Sequence, residues 1–264
     1  MGSAFPLSEG EPLMLEKEII DYWTRRAPSY SEINQKELCG RQKDLWTSYI
    51  MRRVQDAMPE RTGIKALDIG AGPGFFSIIL KMAGCEVTAL DRNPAMMTEA
   101  KKNAGPLAEE IHYVEGDAEE VPLPMGSYDL IVTRNLTWTL PHPKKAYASW
   151  QRVLKKGGIL LNFDANWYNY LYNEEDRALY DRDREQVAEA GVFDRYISTD
   201  VMACERIARQ MPLSPKKRPA WDRQVLEEMG MQVTLYENIS EEILLPEEQL
   251  NFAATPYFCI EAKK

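Results

Sequence analysis

The sequence predicts an α/β protein. Its sheet is mostly parallel and covered by helices on both faces, with helices placed ahead of it and a helical insertion after its fifth strand. Three observations carry this. From residue 64 short apolar runs alternate with helix-patterned segments, the rhythm of a parallel sheet with helical crossovers. A turn with three alternating glycines, Gly70, Gly72 and Gly74, follows the first of those runs. Acids stand near the ends of three successive runs, Asp68, Asp91 and Asp117. Open α/β sheets bind ligands outside the carboxyl ends of their strands.

The elements follow in order. Residues 14–58 read as helices, with Leu15, Ile19 and Trp23 at helical spacing and Leu38, Leu45, Tyr49 and Val54 in a second run. Pro28, within "APSYSE", is expected to part them. "IKALDI" is a strand, and "FFSIILKMAG" a helix closed by Gly84. "CEVTALD" is the second strand; "PAMMTEAKKNAG" is a helix with Pro94 in its first turn. "IHYVEGD" and "YDLIVTRN" are the third and fourth strands. "PKKAYASWQRVLKKGG" is expected to be a helix from Pro143 to Gly157, and "ILLNFDA" the fifth strand. After about 55 residues of helical, charged and aromatic sequence come the helix "WDRQVLEEMG" and the strands "MQVTLYENI" and "TPYFCIEAKK". Only a loop is expected between these two strands, so they can pair antiparallel at the sheet edge.

The totals narrow the function. Hydrophobic residues make up 44% of the 264, enough for a sizeable core. The net charge of -9 argues against a nucleic-acid substrate, which would call for a basic face. No apolar run approaches the ~20 residues that span a bilayer, so no membrane partner is expected. The stretch "MGSAFPLSEGEPLM" lacks the basic start and apolar core of a signal peptide, which points to the cytoplasm. Cys39, Cys85, Cys204 and Cys259 form no CxxC pair and read as reduced thiols. With only His112 and His142 as histidines, no metal is expected.

Glycines this close together cost backbone entropy unless the turn needs them. A dinucleotide fingerprint would place its third glycine where Phe75 stands, and a phosphate-cradling loop would continue Gly-Lys-Ser/Thr, which is missing. Asp68, two residues ahead of Gly70, suits a ligand with a positive group. Asp91 suits ribose hydroxyls, and Asp117 an adenine amino group.

Taken together, "LDIGAGPG", "ALDRNPAMM", "GDAEEVPLP" and "SYDLIVTRNLTWTLPHPKKAYASWQRVLKKGGILLNF" resemble, in order and spacing, the motifs of class I S-adenosylmethionine-dependent methyltransferases. The resemblance is closest to the branch that holds quinone and other small-molecule methylases. It covers residues 62–165 closely and the last 45 by pattern. It implies a Rossmann-like, seven-stranded, mostly parallel sheet with an antiparallel last strand. The cofactor implied is S-adenosylmethionine, leaving as S-adenosylhomocysteine. Carried over by position, Asp68 complements the methionine ammonium, and Gly70, Ala71 and Gly72 lie under the methionine and ribose. Asp91 holds the ribose hydroxyls with Arg92 and Met96 beside the adenine. Asp117 and Ala118 face the adenine edge, and Asn135 and Leu136 lie near the sulfonium. The organisation expected is a helical cover over residues 1–60, a cofactor-binding core over 61–165, an insertion acting as acceptor lid over 166–220, and the remaining sheet over 221–264.

Methyl transfer from a sulfonium is an in-line displacement, so positioning counts for more than acid–base help. Candidates for contact with the acceptor come from three stretches. "RNLTWTLPHP" offers Arg134, Asn135, Trp138 and His142; "NFDANWYNYLY" offers Asp164, Trp167, Tyr168 and Tyr170; "YWTRRAPSYSE" offers Tyr22, Arg26 and Tyr30. Tyr30, Asn135 and His142 are the candidate catalytic residues; Tyr22, Arg26, Trp138, Asp164, Trp167, Tyr168 and Tyr170 are the candidate substrate contacts. A small-molecule acceptor is the leading expectation. Alternatives are a protein or RNA acceptor, and a cofactor-binding protein without catalysis.

Overall fold

The computed structural model of the chain describes residues 11–196 and 199–264. The first ten residues of the expected helical cover, and most of the stretch read against a signal peptide, lie outside them. Strands β1 (Lys65–Ile69), β2 (Glu86–Asp91), β3 (His112–Glu115), β4 (Tyr128–Arg134), β5 (Leu154–Asp164), β6 (Gln232–Tyr236) and β7 (Phe258–Lys263) form one sheet in the order β3-β2-β1-β4-β5-β7-β6. The first five strands run parallel, and β7 enters antiparallel between β5 and β6. The predicted fold class is the observed one.

The strand side chains alternate between two cores. Ala66, Leu130, Val132 and Phe163 face the helices α2 (Gln42–Ala57) and α3 (Phe75–Met82). Leu67, Ile69, Ile131 and Leu160 face α5 (Pro143–Val153) and α8 (Ala220–Glu228). Both faces are thus apolar, which is why the central strands read as continuous hydrophobic runs. A third, smaller cluster joins α1 (Glu11–Cys39) to α7 (Val201–Ala208) through Ile19, Tyr22, Trp138, Cys204 and Ile207. Helices α4 (Pro94–Ala104) and α6 (Glu174–Glu189) complete the crossovers and the insertion.

Three local expectations are corrected. Helix α1 runs unbroken through Pro28, and the chain breaks at Gly40 instead. Proline removes one helical hydrogen bond, but α1 is tied down on both sides of it. Asn93 donates to Ile20 O (3.2 Å), and Asn103 donates to the Ser31 hydroxyl (3.0 Å). Helix α5 ends at Val153, four residues short of Gly157. "LKKGG" is drawn into β5: Leu154 is extended beside Tyr128, Lys155 pairs with Asp129 at 2.8 Å, and the Gly157 amide donates to Lys264 O at 2.7 Å. Between β6 and β7 lie two short helices, α9 (Ser240–Ile243) and α10 (Pro246–Asn251), where a plain loop was expected.

Candidate functional site

Two adjoining cavities open at the carboxyl end of the parallel strands. The first is built from the ends of β1, β2 and β4 and the loops after them. Gly70, Gly72 and Gly74 all take the left-handed conformation, with φ of 66°, 53° and 88°. At Gly74 a side chain is excluded twice over, since a Cβ there would come 3.0 Å from that of Ala100 on α4. This close approach brings the start of α3 against α4 and curls the turn beneath the cavity.

Three carboxylates face that turn. Asp68, 2% exposed, accepts from the Ser77 hydroxyl at 2.6 Å, and burial pushes its carboxyl up to about 7. Asp91 accepts from the Gly72 amide through Oδ2 and from the Asn93 amide through Oδ1, each at 2.8 Å. Burial raises its carboxyl too, opposed by those N–H groups. Asp117 accepts from the Glu119 amide at 2.8 Å. The Trp150 indole donates to Ala118 O at 2.7 Å and fixes that loop to the core. Asp68, Gly70, Ala71, Gly72, Asp91, Arg92, Met96, Asp117, Ala118, Asn135 and Leu136 all line this one cavity.

The roof of the first cavity is helix α1, through Glu16, Ile19, Ile20, Trp23, Tyr30 and Asn34. Of these, sequence reasoning singled out only Tyr30 as a site residue. Ile19 and Trp23 show their helical spacing, but that pattern is equally the mark of core packing. The arrival of α1 is decided by Asn93, which caps α4 with its Oδ1 and reaches α1 with its Nδ2. Arg92 pairs with Glu16 at 3.5 Å.

The second cavity lies beside the first; Trp23, Tyr30, Arg134 and Asn135 line both. Its walls come from α1, from the segment after β4, and from the insertion. Tyr22, Arg26, Trp138, Trp167 and Tyr168 line it. At the junction Arg134 pairs with Glu37 of α1 at 2.9 Å. Asn135 is held at φ 57°, unusual for a residue with a side chain. Its Nδ2 donates to the Tyr257 hydroxyl at 3.0 Å, while its buried Oδ1 has no partner.

Three candidates fall elsewhere. His142 lines neither cavity; its side chain is 65% exposed at the start of α5, with Nδ1 2.9 Å from Glu119. That removes it from the candidate catalytic set. Asp164 is fully buried and salt-bridged to Arg218, which Asp222 also holds. Its carboxylate accepts from the Trp138 amide (3.2 Å) and the Trp167 indole (2.8 Å). It therefore positions two cavity walls and touches no ligand space. Tyr170 stacks on Tyr180 with ring centroids 4.2 Å apart and donates to Glu205, inside the insertion. Among the described residues no group of His, Cys, Asp and Glu is arranged to hold a metal ion, and no helix is long and apolar enough to cross a membrane.

Residues 67–162 match the family described as a methyltransferase domain. That stretch of the chain is similar to a methyltransferase domain. The chain is 31% identical over 140 residues to a malonyl-[acyl-carrier protein] O-methyltransferase of Enterobacter lignolyticus, covering 52% of this chain and 49% of that one. A demethylmenaquinone methyltransferase of Renibacterium salmoninarum is 33% identical over 135 residues, covering 51% and 53%. The chain thus spans about half the length of these curated relatives. A solved structure from Methanococcus maripaludis, assigned as an S-adenosyl-L-methionine-dependent methyltransferase, covers 100% of this chain and 97% of its own at a TM-score of 0.57. At 21% identity that likeness concerns the fold.

Proposed function

We propose that the chain is an S-adenosylmethionine-dependent methyltransferase acting on a small molecule held in the second cavity. One observation carries the reading: a cavity faced by Asp68, Asp91 and Asp117 adjoins, across Tyr30 and Asn135, one walled by aromatic side chains.

The donor set fits the cofactor. Three carboxylates around a glycine turn favour an ammonium group and hydroxyls, and repel a pyrophosphate. Asp91 keeps a lone pair on each oxygen beyond those given to Gly72 and Asn93, enough for two ribose hydroxyls. Asp68 would complement the methionine ammonium, Asp117 and Ala118 would meet the adenine edge, and Met96, 3% exposed, would pack against it. S-adenosylmethionine, when bound, supplies an electrophilic methyl group on a good leaving group. The chain's part is to bring a nucleophile into line with it and to exclude water. Asn135 Oδ1 is the positioning acceptor at the junction, Tyr30 lines both sides of it, and α1 roofs the first cavity.

The test is calorimetry with S-adenosylhomocysteine, NAD and NADP in parallel, followed by labelled-donor transfer across a metabolite extract. S-adenosylhomocysteine alone should bind, and label should appear in small molecules. Micromolar NAD binding would sink the reading.

A further inference from the structure

Resting on that reading, the junction of the two cavities bears on which atom of the acceptor reacts. The second cavity is apolar over much of its wall, with half of its lining residues aromatic. The Trp138 and Tyr168 rings lie 4.7 Å apart, and Trp167 packs edge-on against Phe252 at 5.5 Å. Such walls suit a flat, apolar molecule. Where the cavities meet the lining turns polar, with Tyr30, Arg134 and Asn135 common to both. Tyr257, immediately ahead of β7, lines the second cavity at that point: its hydroxyl lies 3.0 Å from Asn135 Nδ2.

Backbone and ring of Tyr257 are both fixed. Its amide donates to the Ser240 hydroxyl at 3.0 Å, and its carbonyl accepts from the Ile239 amide at 2.8 Å. Trp167 packs edge-on against the ring at 5.2 Å and Trp46 at 6.0 Å. Burial pushes the phenol above its ordinary range, against the opposing charge of Arg134, so the hydroxyl keeps its proton at neutral pH. Asn135 Nδ2 donates to the phenol oxygen, so the phenol's own proton points elsewhere, and among the described residues none accepts it. Asn135 is the complement: its Nδ2 is spent on Tyr257, and its buried Oδ1 has no partner. One donor and one acceptor thus stand on two bonded side chains at the junction. Tyr22 and Tyr168, in the same lining, meet the Cys204 thiol instead.

A single hydroxyl meets both. Its O–H donates to Asn135 Oδ1, and one of its lone pairs accepts from Tyr257. The second lone pair is left to form the bond to the methyl carbon while the carbon–sulfur bond breaks toward sulfur, and the hydroxyl proton is lost to solvent. A neutral amine has one lone pair, so a hydrogen bond from Tyr257 would block its attack. A thiol makes both hydrogen bonds weakly, and a carbon nucleophile makes neither. We infer that the second cavity takes a flat, apolar molecule carrying a hydroxyl, and that Tyr257 with Asn135 selects its oxygen as the atom methylated. Tyr257 lines only the second cavity, so its part is separable from cofactor binding.

The test titrates the full chain, saturated with S-adenosylhomocysteine, with three probes of one shape, 2-naphthol, 2-naphthylamine and 2-methylnaphthalene, by calorimetry. Naphthol should bind about tenfold more tightly than the other two. Tyr257→Phe keeps the ring, and should bring naphthol within about threefold of methylnaphthalene while S-adenosylhomocysteine affinity stays within about twofold. If Tyr257→Phe fails to fold, Asn135→Gly decides: glycine suits the φ of 57°, and the preference for naphthol should shrink likewise. Equal binding of the three probes, a full preference kept by the deciding variant, or no probe binding to a chain that still binds S-adenosylhomocysteine overturns the assignment. Carbon-13-labelled methyl donor supplied with a metabolite extract then reports the atom. The label should resonate with methoxy groups, and label on nitrogen, sulfur or carbon overturns the choice of oxygen. Failure of the unaltered chain to bind S-adenosylhomocysteine, or of any label to transfer, would instead overturn the proposed function, and the acceptor assignment with it.

Discussion

The two cavities meet at four side chains yet are made in different ways. The first is assembled from strand ends and the turns that leave them, so its floor is part of the sheet. Its acids are braced locally: Asp91 by amides at positions 72 and 93, Asp117 by the amide two residues on. The second has no floor of its own. It is enclosed by α1, the segment after β4, the insertion and the chain near α10, which meet through side chains. Its walls depend on a buried charge cluster in which Arg218 bridges Asp164 and Asp222. A ligand site made from backbone is as stable as the sheet, whereas one made from side chains is as stable as the contacts between its parts.

The largest effect should fall on that cluster. Arg218→Ala leaves two carboxylates buried without their cation, and breaking such a pair costs on the order of 3–5 kcal/mol. Denaturant unfolding should show it. At temperatures where the variant is folded, S-adenosylhomocysteine should still bind, because Arg218 lies outside the first cavity. A loss below 1 kcal/mol would show that the walls of the second cavity stand without it.

Asp91→Ala should remove about 2–4 kcal/mol of S-adenosylhomocysteine binding, since charge-assisted bonds contribute ~1.5–3 each and do not fully add. The bonds to Gly72 and Asn93 add a loss of stability, because they pin the glycine turn and the start of α4. Calorimetry and thermal unfolding on the same variant separate the two. Unchanged affinity would remove Asp91 from the site.

Acidity should act on the first cavity through Asp68. Its carboxyl is pushed from the ordinary 3.8 to about 7 by burial. A ligand ammonium needs the ionised form, so binding below pH 7 must expel a proton. S-adenosylhomocysteine affinity should therefore fall by up to about tenfold per unit as pH drops below 7, and level off above it. The sign for unliganded stability is opposite. Between 3.8 and about 7 the folded chain holds more protons here than the unfolded one, so this group's contribution falls as pH rises through that window. Asp68→Asn should flatten both profiles; an unchanged affinity profile would exclude Asp68 as the ammonium partner.

A pair of neighbouring tyrosines tests the boundary of the second cavity. Tyr168→Ala removes a ring packed on Trp138 and should lower acceptor turnover about tenfold, given the ~0.5–1.5 kcal/mol of such a pair beyond its buried area. Cofactor affinity should not move. Tyr170→Ala, whose ring stacks on Tyr180, should cost stability in the insertion and leave turnover within about threefold. Equal losses of turnover would extend the acceptor site into the insertion. The smallest effect belongs to His142→Ala. An exposed side chain outside both cavities should change turnover less than twofold across pH 6–8, and a lost basic limb in the profile would restore it as a base.

The amino-acid sequence by itself determined the sheet, the glycine turn and the acids beside it. These are local matters: apolar periodicity sets which runs become strands, and a residue at a strand end stays beside the turn that follows. Asp68, Asp91 and Asp117 line one cavity because three parallel neighbours end on the same side. Tertiary structure alone decided the rest. Helix α1 continues through Pro28 because Asn93 and Asn103, some seventy residues on, hold it on either side. Asp164 is spent on structure because Arg218 arrives 54 residues later, and nothing near Asp164 in the chain announces a buried cation. The first cavity's roof and the second cavity's walls likewise rest on contacts between distant segments. Periodicity marks a face as buried without saying against what, and that partner is chosen only when the chain closes on itself.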